Sequence, residues 1–119
     1  MNVKKVFSDE LPSCYAVNRI QKDDKDYLLV ASEVENSCFA YDINDNFSKK
    51  IVWDTVGGTM SIIQVPGTLD FLATQKFYPG FNSKECQIVY GKYKDEKWEV
   101  KKIADFPYLH RFDLIKQKD

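Results

Sequence analysis

Ten short runs of β-branched and aromatic residues, separated by turn signals, leave little room in this 119-residue chain for anything but an all-β fold. They are VKKVF (3–7), CYAVNRI (14–20), YLLVAS (27–32), CFAYDI (38–43), KKIVWDT (49–55), TMSIIQV (59–65), DFLATQ (70–75), CQIVYGKY (86–93), WEVKKIADF (98–106) and LHRFDLI (109–115). Helical periodicity is almost absent. The runs also repeat: Ala31 matches Ala73 at a spacing of 42, Asn18 matches Ser61 at 43, and Cys38 matches Cys86 at 48. VKKVFSDELPSCYAVNRI near the start aligns with VKKIADFPYLHRFDLI near the end as well, pairing Pro12 with Pro107, Asn18 with Asp113 and Ile20 with Ile115, each 95 apart.

A period of 42 to 52 residues with four strands per unit is what a β-propeller blade requires. Residues 1–119 are therefore expected to form a single all-β unit: about two four-stranded antiparallel β-propeller blades plus a flanking outer strand and a flanking inner strand. Blade 1 covers approximately 14–55, blade 2 approximately 59–106, and a third blade starts at 109–119. About four blades close a propeller, on the order of 180 residues of this repeat. Either self-association or the remainder of a larger propeller is thus the expected partner.

The motifs GGTMSIIQVPG, FLATQKFYPGF and FPYLHRFD resemble those of an uncharacterised group of bacterial β-propeller proteins. The resemblance implies a fold and leaves the activity open, since propellers serve as lectins, scaffolds, lyases, lactonases and glycosidases. No Trp-Asp dipeptide closes each blade and no double glycine recurs in every blade, so the WD and kelch repeat types are not matched.

Net charge is −1, which gives no basic footprint for nucleic acid and no polybasic patch for a membrane surface. The N-terminal MNVKKVFSDELPS lacks the apolar stretch of a signal peptide, and no apolar run approaches a membrane span. Cys14, Cys38 and Cys86 are odd in number and never form a C-x-x-C pair. Free thiols in a reducing compartment, hence a cytoplasmic protein, are the expectation.

Propeller geometry sorts the loops onto two ends. One end collects charged hairpin turns: QKDDKD (21–26), NDNFSKK (44–50), KDEKW (94–98), with VPGTLD (65–70) beside them. The other collects LPSCY (11–15), TVGGT (55–59), FPYLH (106–110) and the long QKFYPGFNSKE (75–85), where aromatics, glycines and prolines replace mixed charge. Gly57-Gly58 permits close approach by a ligand or by a neighbouring blade. Phe77, Tyr78 and Phe81 form an aromatic cluster suited to stacking on a sugar ring, to anchoring a partner protein, or to folding over their own blade.

His110, the only histidine, aligns with Tyr15 and Gly58; Arg111 with Ala16 and Thr59; Asp113 with Asn18 and Ser61. Small or polar residues at these inner-strand positions point to a central channel where water or ligand satisfies them. Period-2 geometry puts His110 and Asp113 on opposite sides of a strand and Arg111 and Asp113 on the same side. No metal site is expected from this, and an Arg111–Asp113 ion pair stands beside a role for His110 and Arg111 in ligand binding. No cofactor motif, phosphate loop or nucleophile elbow is present. The candidate ligand-binding residues are His110, Arg111, Asp113, Tyr15, Asn18, Thr59, Ser61, Phe77, Tyr78 and Phe81. The expected function is binding of a small polar ligand such as a carbohydrate at the channel mouth. The alternatives are part of a sugar-acting lyase or hydrolase and a protein-interaction scaffold, and the sequence leaves open whether the chain is an enzyme.

Overall fold

The computed structural model of the chain describes residues 8–78, 83–110 and 112. Its strands are β1 (Cys14–Lys22), β2 (Lys25–Ser32), β3 (Cys38–Asp42), β4 (Ser48–Trp53), β5 (Ile62–Gln64), β6 (Phe71–Gln75), β7 (Gln87–Lys94) and β8 (Lys97–Asp105). They build two four-stranded antiparallel sheets, each in simple chain order, β1-β2-β3-β4 and β5-β6-β7-β8. Among the described residues a 3-10 turn at Ile43–Asp45 is the one helical element, and neither sheet closes on itself.

The turns explain the meander. Asp95 and Glu96, at φ 53° and 64°, form the two-residue left-handed turn that matches strand twist and joins β7 to β8. Asp23, at φ 54°, opens the equally short β1–β2 turn. Between β3 and β4 the Asp42 carboxylate accepts from Asn44 N, and left-handed Asn46 and Phe47 return the chain.

Eight of the ten sequence runs are strands. The run 3–7 lies outside the described residues. Of the last run, residues 111 and 113–115 lie outside the described residues; Leu109, His110 and Phe112 are not in a strand, since Tyr108 turns at φ 62° after Pro107 and Leu109 N donates back to Phe106 O at 3.1 Å. The β5 run is also shortened to three residues, since Thr59 N is taken by Ser32 O (3.1 Å) and Met60 N by the Thr74 hydroxyl (3.0 Å).

The sheets stack with β1 beside β5 and β4 beside β8. Asn18 Nδ2 donates to Ile62 O at 2.6 Å, and Gln21 and Gln64 exchange bonds three and two residues further on, so β1 and β5 run in the same direction. Two sheets with the same strand order and direction meet front to back. Ile20, Tyr27, Leu29, Ala31 and Ala40 face the second sheet, and Ile62, Phe71, Ala73, Val89 and Trp98 face the first, in one contiguous core. Ala31 and Ala73 therefore point toward each other rather than to equivalent sides. A single-residue slip in a strand exchanges its two faces, and the 42-residue match is out by one for that reason.

Packing in this core is ring on ring. Trp98 stands edge-on to Tyr27 and to Tyr93, each at 5.0 Å between centroids, and Phe71 bridges Trp98 (6.4 Å) and Trp53 (6.0 Å). The indole nitrogens donate to main-chain carbonyls, Trp98 to Leu69 O at 2.8 Å and Trp53 to Val56 O at 2.7 Å, so burial leaves neither unsatisfied. Across the ladder from Phe71 stands Gly91, where a Cβ would lie 2.1 Å from the Phe71 ring.

Candidate functional site

The two loop ends separate as their composition implies. At the charged end Lys25 pairs with Glu96, Lys50 Nζ reaches Glu96 O at 2.7 Å and Asn44 Nδ2 reaches Asp24 O at 2.6 Å, all exposed contacts. The aromatic end is tied together by main chain. Gly57 and Gly58 carbonyls accept from Lys76 N (2.9 Å) and Phe77 N (3.0 Å). A Cβ on Gly57 would lie 1.7 Å from Val34 O, and one on Gly58, at φ 68°, would lie 2.5 Å from Phe77 N. The close approach at this double glycine is made by neighbouring loops.

Between the starts of β1 and β5 opens a cleft of about 500 Å³. Tyr15, Val17, Asn18, Met60, Ser61 and Phe112 line it. Three candidate residues, Tyr15, Asn18 and Ser61, therefore meet here. Tyr15 is 44% exposed and offers a ring face, while the Ser61 hydroxyl makes no hydrogen bond among the described residues. Asn18 is partly committed, its amide bridging to Ile62 O.

His110 borders this cleft. Its Nε2 lies 3.3 Å from Tyr15 OH, and its ring stands edge-on to Tyr15 (6.0 Å) and to Phe77 (5.2 Å). Histidine and tyrosine, paired by the repeat at a spacing of 95, are direct neighbours in space. Phe77 thus supports His110 instead of projecting outward. Tyr78 is likewise held down: its hydroxyl donates to Glu35 Oε1 at 3.1 Å, and burial, then this carboxylate, push its pKa up to about 12. Glu35 also accepts from Gly57 N at 3.3 Å, so it staples the long loop to the glycine pair.

Thr59 stands apart from the cleft. It is wholly buried, and its Oγ1 has no hydrogen-bond partner among the described residues. Ala16, its counterpart in the repeat, is buried in the core, so this inner-strand position is filled by packing. Arg111, Asp113 and Phe81 lie outside the described residues. The sequence offered no signal for Glu35, one of two acids in the 33–37 loop, nor for Met60 or Phe112 as lining residues.

A second cavity, about 320 Å³, lies under residues 8–14 on the outward face of the first sheet. Its Asp9 carboxylate and Tyr41 hydroxyl are already paired. Asp9 accepts from Tyr41 OH (2.5 Å), from Lys49 Nζ (2.9 Å) and from Glu10 N (2.8 Å), which together hold its pKa at about 2. Burial raises all three thiols, most strongly Cys38; Cys14 alone is exposed. Among the described residues no three His, Cys, Asp or Glu side chains gather closely enough to hold a metal ion, and no helix is long and apolar enough to cross a membrane.

Comparison with protein-family models, with curated proteins and with solved structures gave no match for this chain.

Proposed function

We propose that the chain forms two stacked blades of a β-propeller and that the cleft between β1 and β5 binds a small polar ligand of the carbohydrate kind. The observation that carries this reading is the convergence of Tyr15 and Asn18 of β1 and Ser61, just before β5, on one open cleft of about 500 Å³. A cleft of this size falls within the range of small-molecule sites. Sugars present an apolar ring face and a rim of hydroxyls. The exposed ring of Tyr15 supplies a stacking surface, and the Ser61 hydroxyl and the Tyr15–His110 pair supply donors and acceptors at its edge.

A scaffold reading through the 75–85 loop has less support, because Phe77 and Tyr78 are turned onto His110 and Glu35. For an enzyme reading, His110 has the Tyr15 hydroxyl and no carboxylate as its hydrogen-bond partner among the described residues, so general base catalysis lacks an orienting acid there. Three free thiols fit a reducing, cytoplasmic setting.

A glycan array followed by calorimetry tests the proposal. Binding that drops at least tenfold in Tyr15→Ala and in Ser61→Ala, with Phe77→Ala less affected, is the expected result, a tenfold loss being about 1.4 kcal/mol. Binding that survives both cleft variants, or no binding to any glycan, removes the carbohydrate assignment.

A further inference from the structure

We propose that copies of this chain associate head to tail, the outward face of β5–β8 in one copy packing on the outward face of β1–β4 in the next. The basis is the front-to-back stacking within the chain. Because β1 lies beside β5 in the same direction and β4 lies beside β8, the inner junction joins the front of one sheet to the back of the other. Among the described residues, one back and one front of the same strand order have no second sheet on them. These are the two kinds of surface that already fit together inside the molecule.

Both faces carry exposed apolar side chains among charged ones, with Lys92, Glu99 and Lys101 around Ile103 on the second sheet. On the first sheet Val17 (56% exposed) and Ile51 (58%) flank half-buried Phe39; on the second, Ile103 (57%) flanks half-buried Ile63 and Tyr90. Four strands about 4.8 Å apart and some six residues long at about 3.3 Å each span roughly 19 by 20 Å. Corrugated by side chains, such a face has surface on the order of the 800 Å² that each partner contributes to a standard interface. Charge is of both signs on each face: on the first Arg19 is paired with Asp26 and Lys49 with Asp9, and on the second Lys92 stands across the ladder from Glu99, with Lys101 beside them. The 8–14 segment covers only the corner over Leu28, Val30 and Tyr41, leaving Val17 and Ile51 open. A contact between unlike faces is heterologous and propagates until a ring closes, whereas a two-fold dimer would need like faces to meet.

The experiment is light scattering on the full chain at about 100 μM, where a micromolar interface is largely formed, with cysteine cross-linking on a Cys14→Ser background. Expected are a defined multimer, loss of that multimer in Ile51→Glu and in Ile103→Lys with unchanged circular dichroism, and bis-maleimide cross-links when Ile51→Cys and Ile103→Cys chains are mixed but not from either alone. A monomeric parent chain, a mass unchanged in both charge variants, or self-cross-linking of Ile51→Cys overturns the proposal. Should one charge variant misfold, the other and the cross-linking pair still decide it. Glycan binding by a monomer would sink the assembly and leave the ligand reading standing, and a multimer without glycan binding would do the reverse.

Discussion

Gly91 is a glycine because Phe71 occupies the space where its side chain would be. The ring crosses the ladder and lies over the bare backbone, so Phe71 is wholly buried and a Cβ on Gly91 would be 2.1 Å from it. Gly91→Ala is expected to destabilise the chain by about 1–3 kcal/mol through overpacking, measured as a lower urea midpoint. Gly67 is the contrast: it is left-handed at φ 76° with nothing within 4 Å of a Cβ, so Gly67→Ala should cost only the conformational strain, about 1–2 kcal/mol, and leave core packing untouched in NMR spectra. Tyr78 carries a pH signature. Its pKa rises from 10.0 to about 12 on folding, so the loop gains stability from the neutral phenol below pH 10 and loses it as the pH climbs from 10 toward 12. In Tyr78→Phe that alkaline transition should vanish from amide exchange in the 76–86 loop. The sequence displayed a glycine inside a strand run, yet nothing local could say which aromatic residue covers it.

At the level of elements, legibility followed locality. Strand runs such as YLLVAS and CQIVYGKY were visible because alternation and turn chemistry are short-range, and the two-residue hairpins confirm where the chain reverses. The ends were harder to read. Met60 and Ser61 look like strand residues, but their amides are claimed by the Thr74 hydroxyl, a tertiary contact with no trace in the run itself. The 8–14 segment is a further case, since it is held by Asp9 meeting Tyr41 and Lys49 and by Ser32 and Glu33 donating to the Pro12 and Ser13 carbonyls, all residues remote in sequence. Because the Asp9 pKa falls from 3.8 to about 2 on folding, the contribution of this contact is fully present above pH 3.8 and is lost as the pH drops through about 2. Asp9→Asn should abolish that acid transition in the Tyr41 ring resonances while the sheets remain intact. Persistence of the transition would assign it to another group.

For the whole molecule, the repeat foretold two like units but not how their faces would meet. The alignment of Ala31 with Ala73 captured composition and missed pleat, because counting residues cannot distinguish the two sides of a strand when loops differ in length. The candidate cleft was half legible: Tyr15, Asn18 and Ser61 came from inner-strand periodicity, while Met60, Phe112 and the Glu35 staple emerge only from tertiary contacts. The aromatic stack has a spectroscopic consequence. Each sheet holds one indole, Trp53 in the first and Trp98 in the second, and both touch Phe71 in the shared core. Trp53→Phe and Trp98→Phe would therefore each leave a single emitter reporting on a different sheet. If the common ring stack makes the two sheets one cooperative unit, thermal melts followed by fluorescence and by circular dichroism will coincide within each variant. Tyr27 and Tyr93, 5.0 Å from Trp98, should make that indole the principal acceptor of tyrosine excitation, and a sheet that separates from its neighbour would announce itself as recovered tyrosine emission.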